Sequence, residues 1–82
     1  MGKLENILSA ILRGASDSNI SFSDLRFALE SVDFEVRIKG DHFIYSRYDV
    51  AEIINIQPMG NKAKAYQVKQ VRNLILKYKL AR

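Results

Sequence analysis

The 82-residue sequence contains one histidine, His42, which is the residue best suited to acid–base chemistry. His42 is the last residue of the segment Lys39-Gly40-Asp41-His42. This segment joins two stretches whose residue pattern predicts β-strands. An imidazole can accept or donate a proton near neutral pH, and such transfer is typically worth ~10²–10⁴-fold in rate. Arg37 and Lys39 could stabilise a phosphate on which negative charge develops. The residues alone also allow His42 to be an exposed hairpin residue without a role, and the two cations to be a solvated strand face.

The composition excludes several classes of protein. With no cysteine, the chain has no disulfide, no thiolate metal site and no cysteine nucleophile. A single histidine without cysteine does not supply the ligands of a typical zinc site, so neither a metal nor a cofactor is expected. The apolar runs are far shorter than the roughly 20 residues that span a bilayer, and the N-terminus lacks a signal-peptide pattern. We therefore expect a cytoplasmic protein that does not enter a membrane.

Charge is distributed unevenly along the chain. Residues 1–56 carry six basic and nine acidic groups, whereas residues 57–82 carry seven basic groups and no acidic one: Lys62, Lys64, Lys69, Arg72, Lys77, Lys79 and Arg82. A basic segment attracts polyanions, because phosphates that it neutralises release their counterions. The pattern indicates a nucleic acid or an acidic protein surface as partner, and also fits a solubilising face.

Helical periodicity marks both ends of the chain. The spacing of the apolar residues predicts a helix over 3–13 that stops at Gly14, a second from Ser21 to Asp33, and a last one over 65–78. Their predicted inner faces are Leu4, Ile7, Leu8, Ile11 and Leu12, then Phe22, Leu25, Ala28, Leu29 and Val32, and finally Val68, Val71, Leu74, Ile75 and Tyr78. Lys69 and Arg72 are expected on an outer face of the last helix.

A period of two predicts strands between the helices. Gly40-Asp41 is a two-residue turn of the type II′ kind, which joins residues 34–39 to 42–47 in a hairpin. This register sets His42 opposite Lys39 on the open face, and it predicts a core side made by Val36, Ile38, Phe43 and Tyr45. A third strand is predicted over 52–56, followed by a loop over 57–63.

The resulting order is α-α-β-β-β-α, an α+β domain in which helices cover one face of a three-stranded antiparallel sheet. At this length we expect a single domain over 1–82.

The succession of a short helix, a Gly40-Asp41-His42 hairpin, a third strand and a closing basic helix resembles the HicA family of bacterial mRNA-cleaving toxins. Those proteins share the fold of double-stranded-RNA-binding domains. The resemblance covers residues 21–80, and the helix over 3–13 would be an addition. Two positions differ from the usual pattern: Asp41 stands where serine is common, and Ile56-Gln57-Pro58-Met59 lacks a second histidine.

The resemblance implies a role for each candidate residue. His42 would be the catalytic residue of an mRNA interferase, with Gly40 shaping its hairpin and Arg37 and Lys39 holding the phosphate. Lys62, Lys64, Lys69 and Arg72 would contact the RNA backbone around the start of the last helix, as in double-stranded-RNA-binding domains. The protein partner would be a HicB-like antitoxin. Two other functions stay open, namely a non-catalytic RNA-binding module and a protein-interaction module that uses the N-terminal helix or an open sheet edge.

Overall fold

A computed structural model describes residues 2–80 of the chain; Met1, Ala81 and Arg82 lie outside the described residues, so the basic end group Arg82 is not placed. The elements in chain order are α1 (Lys3–Arg13), a 3₁₀ turn (Asp17–Asn19), α2 (Phe22–Ser31), β1 (Glu35–Lys39), β2 (His42–Arg47), β3 (Val50–Ile56), β4 (Pro58–Met59), β5 (Lys62–Ala63) and α3 (Ala65–Tyr78). The predicted α+β class and the order of the main elements are confirmed. No helix among residues 2–80 is long and apolar enough to cross a membrane.

Strands β1, β2 and β3 form an antiparallel sheet in that order. The predicted hairpin register is confirmed from Glu35, which pairs with Ser46, to Lys39, which pairs with His42. Gly40 has a φ of 61°, the left-handed value that the first position of a type II′ turn requires. Asp33, at the predicted end of α2, also adopts a left-handed backbone, with a φ of 70°.

All three helices contribute to one apolar core on a single face of the sheet. From the sheet the core takes Tyr45, Ile54 and Ile56, which are fully buried. The helices supply Ile7, Ile11, Phe22, Leu25, Ala28, Leu29, Val32, Val68, Val71, Leu74 and Ile75. Most of the predicted inner positions are therefore buried, while Leu8, Leu12 and Tyr78 pack at the margin of the core. Thus α1 belongs to the same core as the other helices.

The predicted burial of Val36 and Ile38 is wrong. Val36 is 37% and Ile38 52% exposed, although Val36 aligns across the sheet with Tyr45, which is fully buried. The register is as expected, so both side chains do point to the helix side. However, β1 is an edge strand, and the buried sheet residues show that the helices cover β2 and β3. One strip of the inner face therefore stays open to solvent.

The predicted loop over 57–63 contains a small hairpin formed by β4 and β5. Gly60 lies in its turn with a φ of 63°. Two backbone bonds join this hairpin to the segment before α2, one from Ala63 N to Ile20 O at 2.9 Å and one from Phe22 N to Asn61 O at 3.0 Å. The hairpin therefore closes the core at the start of α2, and β3 also begins earlier than predicted, at Val50.

Glu52 of β3 ties the sheet to the end of α3. Its carboxylate accepts hydrogen bonds from Lys77 Nζ and from the Tyr78 hydroxyl, each at 2.7 Å. The bond from Lys77, followed by that from Tyr78, lowers the pKa of Glu52 from 4.5 to about 2. Because the pKa of Glu52 is lower in the folded than in the unfolded state, ionised Glu52 stabilises the fold above the unfolded value.

The stabilisation from Glu52 is expected to be complete above pH 4.5 and to be lost as the pH falls toward 2. An NMR titration of the Glu52 carboxyl carbon should therefore give a midpoint near 2. Replacing Lys77 with methionine should move that midpoint upward, whereas Lys69→Met, at an exposed position of the same helix, should not. A Glu52 midpoint at the ordinary value in the unmodified protein would contradict this assignment.

Candidate nucleic-acid interface

The two-residue turn at Gly40-Asp41 places His42 on the open face of the sheet, which the helices do not cover. Lys39 pairs directly with His42, so both side chains emerge on the same side, away from the helices. The His42 side chain is 46% exposed. A substrate can therefore reach the imidazole without any movement of the core.

Asn55 of β3 and Gln57, which directly follows this strand, contact the two ring nitrogens of His42. His42 Nδ1 lies 3.2 Å from Asn55 Oδ1, and His42 Nε2 lies 3.3 Å from the amide nitrogen of Gln57. The Asn55 oxygen can only accept a hydrogen bond, so Nδ1 must donate. The Gln57 amide nitrogen can only donate, so Nε2 must accept. These contacts fit the neutral tautomer that carries its proton on Nδ1 and its lone pair on Nε2, which is the form required of a general base.

Asp41 is the acidic neighbour of that lone pair. Its Oδ1 lies 3.8 Å from His42 Nε2, and its Oδ2 accepts a 3.4 Å bond from the same Gln57 amide group. The carboxylate is thus well placed to stabilise the imidazolium that forms when Nε2 takes up a proton. It would also repel a phosphate that approached from its own side.

A buried glutamine of α3 fixes the end of β3. Gln67 is only 2% exposed; its Oε1 accepts from Gln57 N, and its Nε2 donates to Asn55 O, both at 3.4 Å. Because Gln67 lies in the first turn of α3, the start of this helix packs against the two residues that hold His42. The position of the imidazole therefore depends on α3 as well as on the hairpin.

The open face carries the predicted cations of β1. Arg37 pairs with Ile44 of β2, which in turn pairs with Asn55 of β3, so these three residues form one row across the face. Lys39 and His42 form the adjacent row. Arg37 and Lys39 are both exposed. The structure thus brings together His42, Lys39 and Arg37 as a cationic patch with one titratable ring.

The remaining predicted cations lie elsewhere in the fold. Lys62 is in β5, Lys64 caps the start of α3, and Lys69 is exposed one turn further along that helix. Through Gln67 the start of α3 borders the end of β3, so Lys64 lies in the region next to the His42 support.

Arg72 does not belong to this group, because it is turned toward α1 rather than outward as expected. Its Nη1 donates to Asp17 Oδ1 at 2.9 Å and to Ile11 O at 3.2 Å, and its side chain is 16% exposed. The position of Arg72 gives it a structural role, closing the C-terminal end of α1.

Asn55, Gln57 and Gln67 were not identified from the sequence as part of the site. Locating Gln57 requires the register between β2 and β3, and that register shifts between Tyr45 and Arg47. A polar side chain at an inner position of α3 was the available signal for Gln67, since buried polar groups need partners.

A scan against protein-family models, a search of curated proteins and a search of solved structures found no match. The resemblance to HicA toxins therefore stays a prediction.

Proposed function

We propose that this protein is an endoribonuclease that cleaves single-stranded mRNA by means of His42, as the toxin of a type II toxin–antitoxin pair. The resemblance of residues 21–80 to HicA toxins supports the biological role. The chemistry rests on one observation, which is the exposed imidazole on the open face of the sheet, contacted by Asn55 and Gln57 and with Lys39 beside it.

In the proposed reaction, His42 Nε2 accepts the proton of a ribose 2′-hydroxyl. The 2′-oxygen then attacks the neighbouring phosphorus, the bond from phosphorus to the 5′-oxygen of the next nucleotide breaks, and that oxygen takes a proton from water. His42 afterwards returns its proton to solvent. To enter, the hydroxyl replaces the Gln57 amide at Nε2, a 3.3 Å contact at the protein surface. Asn55 keeps Nδ1 protonated throughout and thereby maintains the orientation of the ring. Lys39 and Arg37 supply positive charge where negative charge develops on the phosphate.

The proposed antitoxin is a HicB-like protein that covers the His42 hairpin. The open face around the imidazole carries Lys39 and Arg37, and an acidic surface would complement these charges. A partner seated here would block access to Nε2 without any change in the toxin fold. No metal or cofactor takes part in this scheme.

The substrate itself offers the sharpest test of the mechanism. Purified protein incubated with a labelled single-stranded RNA should generate fragments that end in a 2′,3′-cyclic phosphate or its hydrolysis product. A matched RNA with one 2′-deoxy nucleotide at a cleavage position should be left intact at that position alone. Cleavage at the 2′-deoxy position would rule out the 2′-hydroxyl as nucleophile. Salt-dependent binding without cleavage would instead favour a non-catalytic RNA-binding module, and binding to an acidic protein without RNA affinity would favour a protein-interaction module.

A further inference from the structure

The outer edge of β1 combines two features that favour pairing with another strand. Within residues 2–80 no strand pairs with this edge, since the sheet order is β1-β2-β3. An unpaired edge presents free backbone N–H and C=O groups, which can form a new ladder. Beside this edge lie Val36 and Ile38, apolar side chains that point to the inner face but are left 37% and 52% exposed. The edge thus has both an apolar strip and unsatisfied backbone groups.

The charges of β1 indicate what kind of strand fits there. Glu35, Arg37 and Lys39 alternate with the two apolar residues and share the open face. An antiparallel partner strand places each side chain opposite one on the same face, where opposite charges attract and like charges repel. A second copy of β1 can satisfy this condition in one register, as the following comparison shows.

Two copies of β1 can pair antiparallel about a two-fold axis. Side chains on the same face then lie opposite each other only when the axis passes through a residue, so each register is named by that residue. When the axis passes through Val36, Glu35 lies opposite Arg37 of the second copy, and the reciprocal pair forms as well. An axis at Arg37 sets this guanidinium against itself, and an axis at Ile38 sets Arg37 against Lys39. The register centred on Val36 is therefore the one without a like-charge pair.

The same register covers part of the apolar strip that the helices leave open. Val36 would lie opposite Val36 of the second copy, whereas Ile38 would lie opposite Phe34, a core residue that precedes β1 and is only 5% exposed. Both helical layers would then lie on the same side of one six-stranded sheet. The pairing therefore covers Val36 more fully than Ile38.

We propose that two copies of this protein associate through β1, antiparallel and centred on Val36, with two Glu35–Arg37 pairs between the copies. This association does not rest on the proposed ribonuclease activity, but the dimer would pair Arg37 with Glu35 of the second copy and so compete with the proposed contact of Arg37 to phosphate. It concerns a short edge strand, so the dimer is expected to be weak and reversible, at the low end of specific interface sizes.

Exchanging the charges of Glu35 and Arg37 tests the proposal directly. The measurement is sedimentation velocity at protein concentrations between micromolar and millimolar. The unmodified chain should show a reversible monomer–dimer equilibrium. Glu35→Arg alone and Arg37→Glu alone each create two like-charge pairs, and each should weaken the dimer by roughly tenfold or more. An equimolar mixture of these two variants should form a heterodimer, and the double variant Glu35→Arg/Arg37→Glu should regain the homodimer. Lys69→Glu, at an exposed site on α3, should leave association unchanged.

Several results would overturn the proposal. One is an unmodified protein that stays monomeric at every concentration, in which case the edge is free for an extended segment of another protein. Tighter association of Arg37→Ala alone would show the register centred on Arg37 instead, because that change removes a like-charge pair only in that register. A mixture of the two single variants that stays monomeric would show that Glu35 and Arg37 do not face each other.

Discussion

Replacing His42 with alanine is expected to lower the rate of RNA cleavage by about 10²–10⁴-fold while leaving RNA binding nearly unchanged. The variant removes the imidazole that Asn55 and Gln57 contact, and with it Nε2, the proposed proton acceptor. Lys39 and Arg37 stay in place, so the electrostatic part of binding is retained. The measurement is the single-turnover cleavage rate of a labelled single-stranded RNA, together with its binding curve at several salt concentrations.

Ser46→Ala is the matched control for this experiment. Ser46 lies on the same strand and the same exposed face as His42, but two rows away from it. Its replacement should leave the cleavage rate unchanged. If His42→Ala were as active as Ser46→Ala, the imidazole would have no part in the reaction. Another group would then have to accept the proton.

Replacing Ile11 with alanine is expected to reduce the free energy of unfolding by about 2–5 kcal/mol. Ile11 is fully buried in the shared core, although α1 precedes the region that resembles the HicA domain. Truncating it removes apolar contacts and leaves a cavity between the helices. In a domain of this size each 1 kcal/mol lowers the Tm by roughly 4–8 °C, so thermal unfolding followed by circular dichroism measures the effect readily.

Leu76→Ala is the comparison for Ile11→Ala, since it removes the same number of carbon atoms from a helix but at a position that is 59% exposed. It should change the free energy of unfolding by about 0.5 kcal/mol or less. If both variants changed the free energy of unfolding by equally small amounts, α1 would not contribute to the stability of the core. A large effect at Ile11 alone would establish α1 as a required part of the fold.

Local sequence signals were sufficient to predict the three α-helices, the three strands of the main sheet and the register of the β1–β2 hairpin. Gly14, Asp33 and Gly40 sit where the backbone must become left-handed, and all three adopt positive φ values. The two-residue turn then fixes which residues face each other, because hairpin register follows from turn length. This is why the exposure of His42 beside Lys39 on the open face was predictable from the sequence.

Features that depend on how the helices and strands pack against each other could not be predicted from local sequence patterns. The alternating pattern predicts which face of β1 is apolar. It does not predict whether a helix covers that face, and this is why the predicted burial of Val36 and Ile38 is wrong. The contact of Arg72 with Asp17 joins residues 55 positions apart, and no local signal reports such a partner. The support of His42 by Gln57 depends on a register that an irregularity in β2 displaces.

The hydrogen bonds between the small β4–β5 hairpin and the start of α2 have a consequence for synthesis on the ribosome. The bonds from Ala63 to Ile20 and from Phe22 to Asn61 join segments that emerge at very different times. Because the chain leaves the ribosome N-terminal end first, α1 and α2 must wait for residues 61–63 before their core can close. Gln67, which contacts the residues around His42, is synthesised later still. A nascent copy therefore cannot complete the support of His42 until α3 has begun to leave the ribosome.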